Sequence, residues 1–198
     1  MKNSLVKILR LADHPSALVY LLAGSLDAHY LNLKGILLIL VGLYCLSIGT
    51  FIVNEYTDSF DTDKFSLRDP KKLVTKIIGS KKTILFAWFI FTGIGTTIFL
   101  TCHLFCQAAA IVILGAFYSL PPFRFKAKFP YDIVSLFVFF IVAPYSIGFA
   151  LQGLPFSQMF TLPFFALTLS LGPAEGIHFL VDVGADEKAG LTNTAVVL

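Results

Sequence analysis

Apolar residues along this chain gather in long unbroken runs, with the polar positions crowded into the gaps between them. A strand alternates with period two and an amphipathic helix leaves a polar stripe; unbroken runs of about 20 residues are the mark of membrane-spanning helices. Six segments follow from the pattern: 16–31, 35–54, 83–103, 104–120, 133–151 and 156–181. The first and fourth are short, and Asp27 and His29 crowd the end of the first. Gly153, Pro155 and the pair Pro121-Pro122 punctuate the runs as turns at helix ends should. Pro144, Pro163 and Pro173 fall inside segments and predict kinks. The expected architecture is an all-α, multi-pass transmembrane bundle, one membrane domain over 1–198, with acidic motif loops at 54–82 and 178–192.

Composition sharpens this. The 198 residues are 57% hydrophobic and 14% charged, and the mean hydropathy is +0.81. Soluble domains hold about 25% charged residues, so a water-soluble fold would expose too much apolar surface. A net charge of +3 without a basic stripe argues against nucleic acid. Cys45, Cys102 and Cys106 are odd in number, fit no zinc spacing and read as packing residues. The N-terminal stretch has no small-residue cleavage site before the next run and reads as a first helix. With the N-terminus cytoplasmic, every Lys and Arg except Lys34 falls on the inner side. Both acidic clusters then meet the cytoplasmic side, as expected for a cell-membrane protein if the source is prokaryotic.

The first cluster runs from Asn54 to Asp63 and closes the second segment. At about 100° per residue, Asn54, Asp58 and Asp61 fall near 0°, 40° and −20° on one helical face, with Asp63 opposite. Oxygens so crowded at a membrane edge call for a cation, and hard oxygen donors suit Mg²⁺ that shares its shell with phosphate. The second cluster closes the sixth segment: Asp182 and Asp186 stand one helical turn apart, with His178 one turn earlier. Two carboxylate faces opposed across a bundle form a site for a metal-bridged diphosphate. Between them lie basic stretches, 118–126 with Arg124 and Lys126, and 68–76 with Lys71 and Lys72. Arg offers a fork to phosphate oxygens and Lys a mobile charge.

Plainer readings apply to other charges. Lys2, Lys7, Lys81, Lys82 and Lys128 read as topology anchors, and Asp69 and Glu187 as solvated loop residues. His178 is at best a support behind the ligands, and Glu175 a cavity-wall residue.

The order of these motifs resembles the UbiA-type intramembrane prenyltransferases. Asn54-Glu55-x-x-Asp58 is similar to the family's first Asp-rich motif, with Glu55 for the usual Asp; its last Asp would fall at Thr62, and Asp61 is the substitute on the favoured face. Asp182-x-x-x-Asp186, followed by Lys188-Ala189-Gly190, is similar to the second. The stretch Tyr118 to Lys126 resembles the loop after the fourth helix, Lys71 to Lys76 a basic segment after the first motif, and Arg10 with His14-Pro15 the entry to the first helix.

The resemblance implies Mg²⁺-dependent transfer of an isoprenyl group from a diphosphate to an aromatic or lipid acceptor within the membrane. It implies Asp58, Asp182 and Asp186 as catalytic residues and Asn54, Asp58, Asp61, Asp182 and Asp186 as metal ligands. Arg10, Lys71, Lys72, Tyr118, Arg124 and Lys126 are then the diphosphate contacts. Complete members have about nine helices, so the resemblance also implies a C-terminally incomplete chain: truncated, completed by a second chain, or degenerate. The competing classes are a transporter that binds cations through the carboxylates, whose site belongs near the bilayer midplane, and a non-catalytic remnant.

Overall fold

The structure, a computed structural model, describes residues 15–58, 81–180, 183–188 and 190–197. Six helices coincide with the six apolar runs: α1 (Pro15–Asp27), α2 (Leu33–Asp58), α3 (Lys81–Thr101), α4 (Phe105–Ser119), α5 (Tyr131–Leu151) and α6 (Leu162–Leu180). Two short helices follow, α7 (Val183–Lys188) and α8 (Thr194–Val197). Among the described residues there is no strand beyond an isolated parallel bridge between Lys128 and Thr192.

Three helices are long and apolar enough to cross a bilayer: Leu33–Asn54, Lys82–Thr101 and Tyr131–Leu151, of 22, 20 and 21 residues. At 1.5 Å per residue each spans about 30 Å, the thickness of the hydrocarbon core. The apolar parts of α1, α4 and α6 are shorter. Length and composition thus qualify three of the six expected spans.

Local chemistry explains the boundaries. The Asn32 side chain accepts the Gly35 N–H (3.2 Å) and caps the start of α2. At the end of α5, Gly153 takes φ +73° while Leu154 N–H returns to the Phe149 carbonyl, a left-handed stop that glycine allows without strain. Pro144 follows a π-helical turn at Val138–Val142, which absorbs the missing N–H. Pro163 is not internal as expected: it is the second residue of α6, where its lost donor costs nothing. Pro173 does lie inside α6.

α2 packs most extensively on α3, and α1 on the second half of α5. The α1–α5 crossing is made close by two glycines: a Cβ on Gly24 would overlap the Tyr145 backbone, and one on Gly148 the backbone of Gly24 and Ser25. Tyr20, Leu21, Ile39, Phe99, Ile111, Ile141, Tyr145 and Met159 are fully buried between these layers. Large apolar side chains such as Phe86, Phe89 and Ile94 of α3 point outward, as a lipid-facing surface requires. Where α1 ends, Asp27 accepts hydrogen bonds from the Tyr145 hydroxyl (2.7 Å) and the Thr161 hydroxyl (2.5 Å), tying α1, α5 and the lead into α6 together.

Candidate functional site

The other end of α2 carries the first acidic motif. The helix continues unbroken to Asp58, so Asn54 and Asp58 belong to one helical turn. Asn54 Oδ1 accepts a hydrogen bond from Ser119, the last residue of α4 (3.0 Å), and one from the Lys126 ammonium (3.2 Å). Lys126 also donates to the Thr57 hydroxyl (2.9 Å), and Thr57 in turn donates to the Asn54 carbonyl (2.8 Å). Lys126 is only 7% exposed. A buried ammonium must be surrounded by oxygens, and these neighbours supply them.

The loop that delivers Lys126 is set by its aromatics. Phe117 stacks on Phe123 with centroids 4.1 Å apart, and Phe125 on Tyr131 at 5.5 Å. Arg124 adopts φ +44°, turning the chain into the short 3₁₀ turn Phe125–Ala127. That turn aims Lys126 at the end of α2.

The second acidic motif is fastened to the same loop. After α7, Gly190 takes φ +71° and Leu191 N–H returns to the Asp186 carbonyl (3.0 Å). Thr192 then runs beside the loop: its N–H donates to the Ala127 carbonyl (3.2 Å), and its carbonyl accepts the Phe129 N–H (2.8 Å). Asn193 donates from Nδ2 to the Asp186 carboxylate (2.7 Å). Finally Asp132, fully buried in the first turn of α5, accepts the Thr194 N–H on one oxygen and the Thr194 hydroxyl on the other, both at 2.7 Å.

Beneath Asn54 opens a narrow apolar cleft between α2, α4 and α5. Thr50, Phe51, Gly115, Tyr118, Phe139 and Phe140 line it, so Tyr118 and Asn54 share its upper wall.

The predicted residues fall into two groups. Asn54, Tyr118, Arg124, Lys126 and Asp186 are described; Asn54 and Lys126, expected on metal and diphosphate respectively, are bonded to each other. The cleft joins Tyr118 to Asn54, and Asn193 and Thr192 join Asp186 to the Lys126 loop. Arg10, Asp61, Asp63, Lys71, Lys72 and Asp182 lie outside the described residues, as do the side chains of Asp58, Glu175 and His178. Sequence reasoning passed over Asp132, Thr57, Ser119 and Asn193. The available signal was Asp132 itself, a carboxylate at the head of an apolar run with no assigned role.

The oxygens at this rim, from the Asn54 amide, the Thr57 hydroxyl and the Asp186 carboxylate, are the hard donors that Mg²⁺ takes. A cation already sits on two of them, as the Lys126 ammonium. By donor type, and not by any assembled geometry, these oxygens suit the ion. Among the described residues, no group of three or more His, Cys, Asp or Glu stands ready to hold a metal.

No curated protein and no solved structure matches the chain. One family model does, that of the UbiA prenyltransferase family, over residues 15–198. This match covers nearly the whole chain and all six long helices, and such proteins are integral to the membrane. The chain belongs to the UbiA prenyltransferase family.

Proposed function

We propose that this chain is an intramembrane prenyltransferase, one that moves an isoprenyl group from its diphosphate to an aromatic or lipid acceptor. Family membership supports the transferase role. The observation that carries the finer reading is the meeting of Asn54 with Lys126 directly above an apolar cleft. A charged head at the rim and an apolar tail below it is the shape of a prenyl diphosphate.

In this reading the bundle is multi-pass and the rim faces the cytoplasm, as the distribution of Lys and Arg expects. The carboxylates of Asp58, Asp182 and Asp186, with Asp61 and the Asn54 amide, would hold Mg²⁺. An ion held there would supply neutralisation of the negative charge that builds on the diphosphate. Arg10, Lys71, Lys72, Tyr118, Arg124 and Lys126 supply the remaining donors. Lys126, held by the Thr57 hydroxyl at the end of α2, presents its charge at the rim. The allylic C–O bond breaks and its electron pair leaves with diphosphate. The acceptor nucleophile bonds to the allylic carbon and releases a proton. Phe51, Phe139 and Phe140 keep water from that carbon.

The test is transfer of label from a prenyl diphosphate to an acceptor by the protein in detergent or native membranes. Transfer should need Mg²⁺, and Asp58→Ala and Asp182→Ala should each lower it more than about 10²-fold while the protein still folds. Undiminished transfer in both variants would sink the assignment.

A further inference from the structure

We infer that Asp132 is a positioning residue for the second acidic motif, acting through Thr194 and Asn193 on the Asp186 carboxylate. This rests on the metal-binding reading of that motif. Asp132 is fully buried, and each of its oxygens is spent on Thr194: one takes the backbone N–H, the other the hydroxyl. Fixing both atoms of one residue fixes its neighbour. Asn193 is itself buried and uses both ends of its amide: Oδ1 accepts the Val196 N–H (3.2 Å) at the start of α8, while Nδ2 donates to Asp186 (2.7 Å).

The path is continuous and short. It begins on α5, six residues after Lys126, and ends on α7, where Asp186 sits. Thr192 closes the other side of the clip by pairing with Ala127 and Phe129. The Asn54–Lys126 contact and Asp186 are therefore built on one loop, and Asp132 sets the height at which the second motif meets the first. A carboxylate that ligates a metal needs its orientation fixed by hydrogen bonds from behind, and loss of such a partner typically costs about 10- to 100-fold in metal affinity. Asn193 is that partner for Asp186, and Asp132 is what holds Asn193 in place.

The test is Mn²⁺ binding to the purified full chain in detergent, read by the electron paramagnetic resonance signal of free Mn²⁺. Asp132→Ala should weaken binding about 10-fold. Asp132→Asn, which can accept the Thr194 N–H and donate to its hydroxyl, should restore it to within about 3-fold. Thr194→Val removes only the hydroxyl contact and should give a weaker loss in the same direction; it serves if Asp132→Ala does not fold. Because Asp132 acts through Asn193, the double variant Asp132→Ala/Asn193→Ala should bind no more weakly than Asn193→Ala alone. Wild-type affinity in Asp132→Ala or, if that variant is unfolded, in Thr194→Val overturns the inference and leaves the proposed transfer standing, as does full additivity in the double variant. A wild-type protein that binds no Mn²⁺ overturns the inference together with the metal-binding reading beneath it.

Discussion

Lys126 has its ammonium almost out of water, between an amide and a hydroxyl that each belong to the last turns of α2. A lysine spends that much desolvation only where oxygens repay it. Asn54→Leu should therefore cost about 1.5–3 kcal/mol, the range for hydrogen bonds to charged groups, and lower the unfolding temperature in detergent. Lys126→Met should instead leave the fold largely intact and lower kcat/KM for the prenyl diphosphate by about 10²-fold in the label-transfer assay. At this scale the sequence was legible in part. Residue type and order marked Asn54, Tyr118, Lys126 and Asp186, because oxygen-rich and basic clusters at helix ends have few other uses. That Asn54 and Lys126 would hold each other was not readable, since it depends on a left-handed Arg124 and a stack of aromatic rings across the loop. The role of Asp132 was unreadable for a related reason: its partner, Thr194, lies 62 residues further along the chain.

Among the elements, the α1–α5 crossing has the least room to change. Gly24 and Gly148 face each other backbone to backbone, so no rotamer can relieve an added side chain. Gly148→Leu should push the two helices apart and destabilise the protein by about 1–3 kcal/mol, measurable as earlier thermal unfolding in detergent. The six helices themselves followed from the apolar runs, because a continuous run of that length admits little else. Their ends shifted where local capping decided: α2 starts at its Asn32 cap, and α6 starts at Leu162 with Pro163 in its first turn. Beside Pro144, where a kink was expected, stands a π-helical turn that the sequence did not announce, for hydropathy records how apolar a turn is and not how many residues it contains.

As a whole the molecule has two polar ends joined by an apolar middle. From Leu33 to Asn54 the chain climbs about 30 Å, which separates the Asp27 cluster from the Lys126 cluster. Tyr145→Phe removes a hydrogen bond to Asp27 and should cost about 1 kcal/mol of stability with the KM for prenyl diphosphate unchanged. Thr50→Trp, in the cleft, should do the opposite: transfer of a fifteen-carbon group should fall more steeply than that of a five-carbon group, compared under the same assay. The π-helical turn at Val138–Val142 has a bearing on both ends at once. Such a turn holds one residue more than the helix on either side of it. It works as a phase adjuster in a shaft, turning Asp132 toward Thr194 at one end and Tyr145 toward Asp27 at the other. Deleting a single residue there would restore an even winding with the two halves still in phase, so both faces should keep their mates, whereas adding a residue elsewhere in the helix would turn one half away by about 100°.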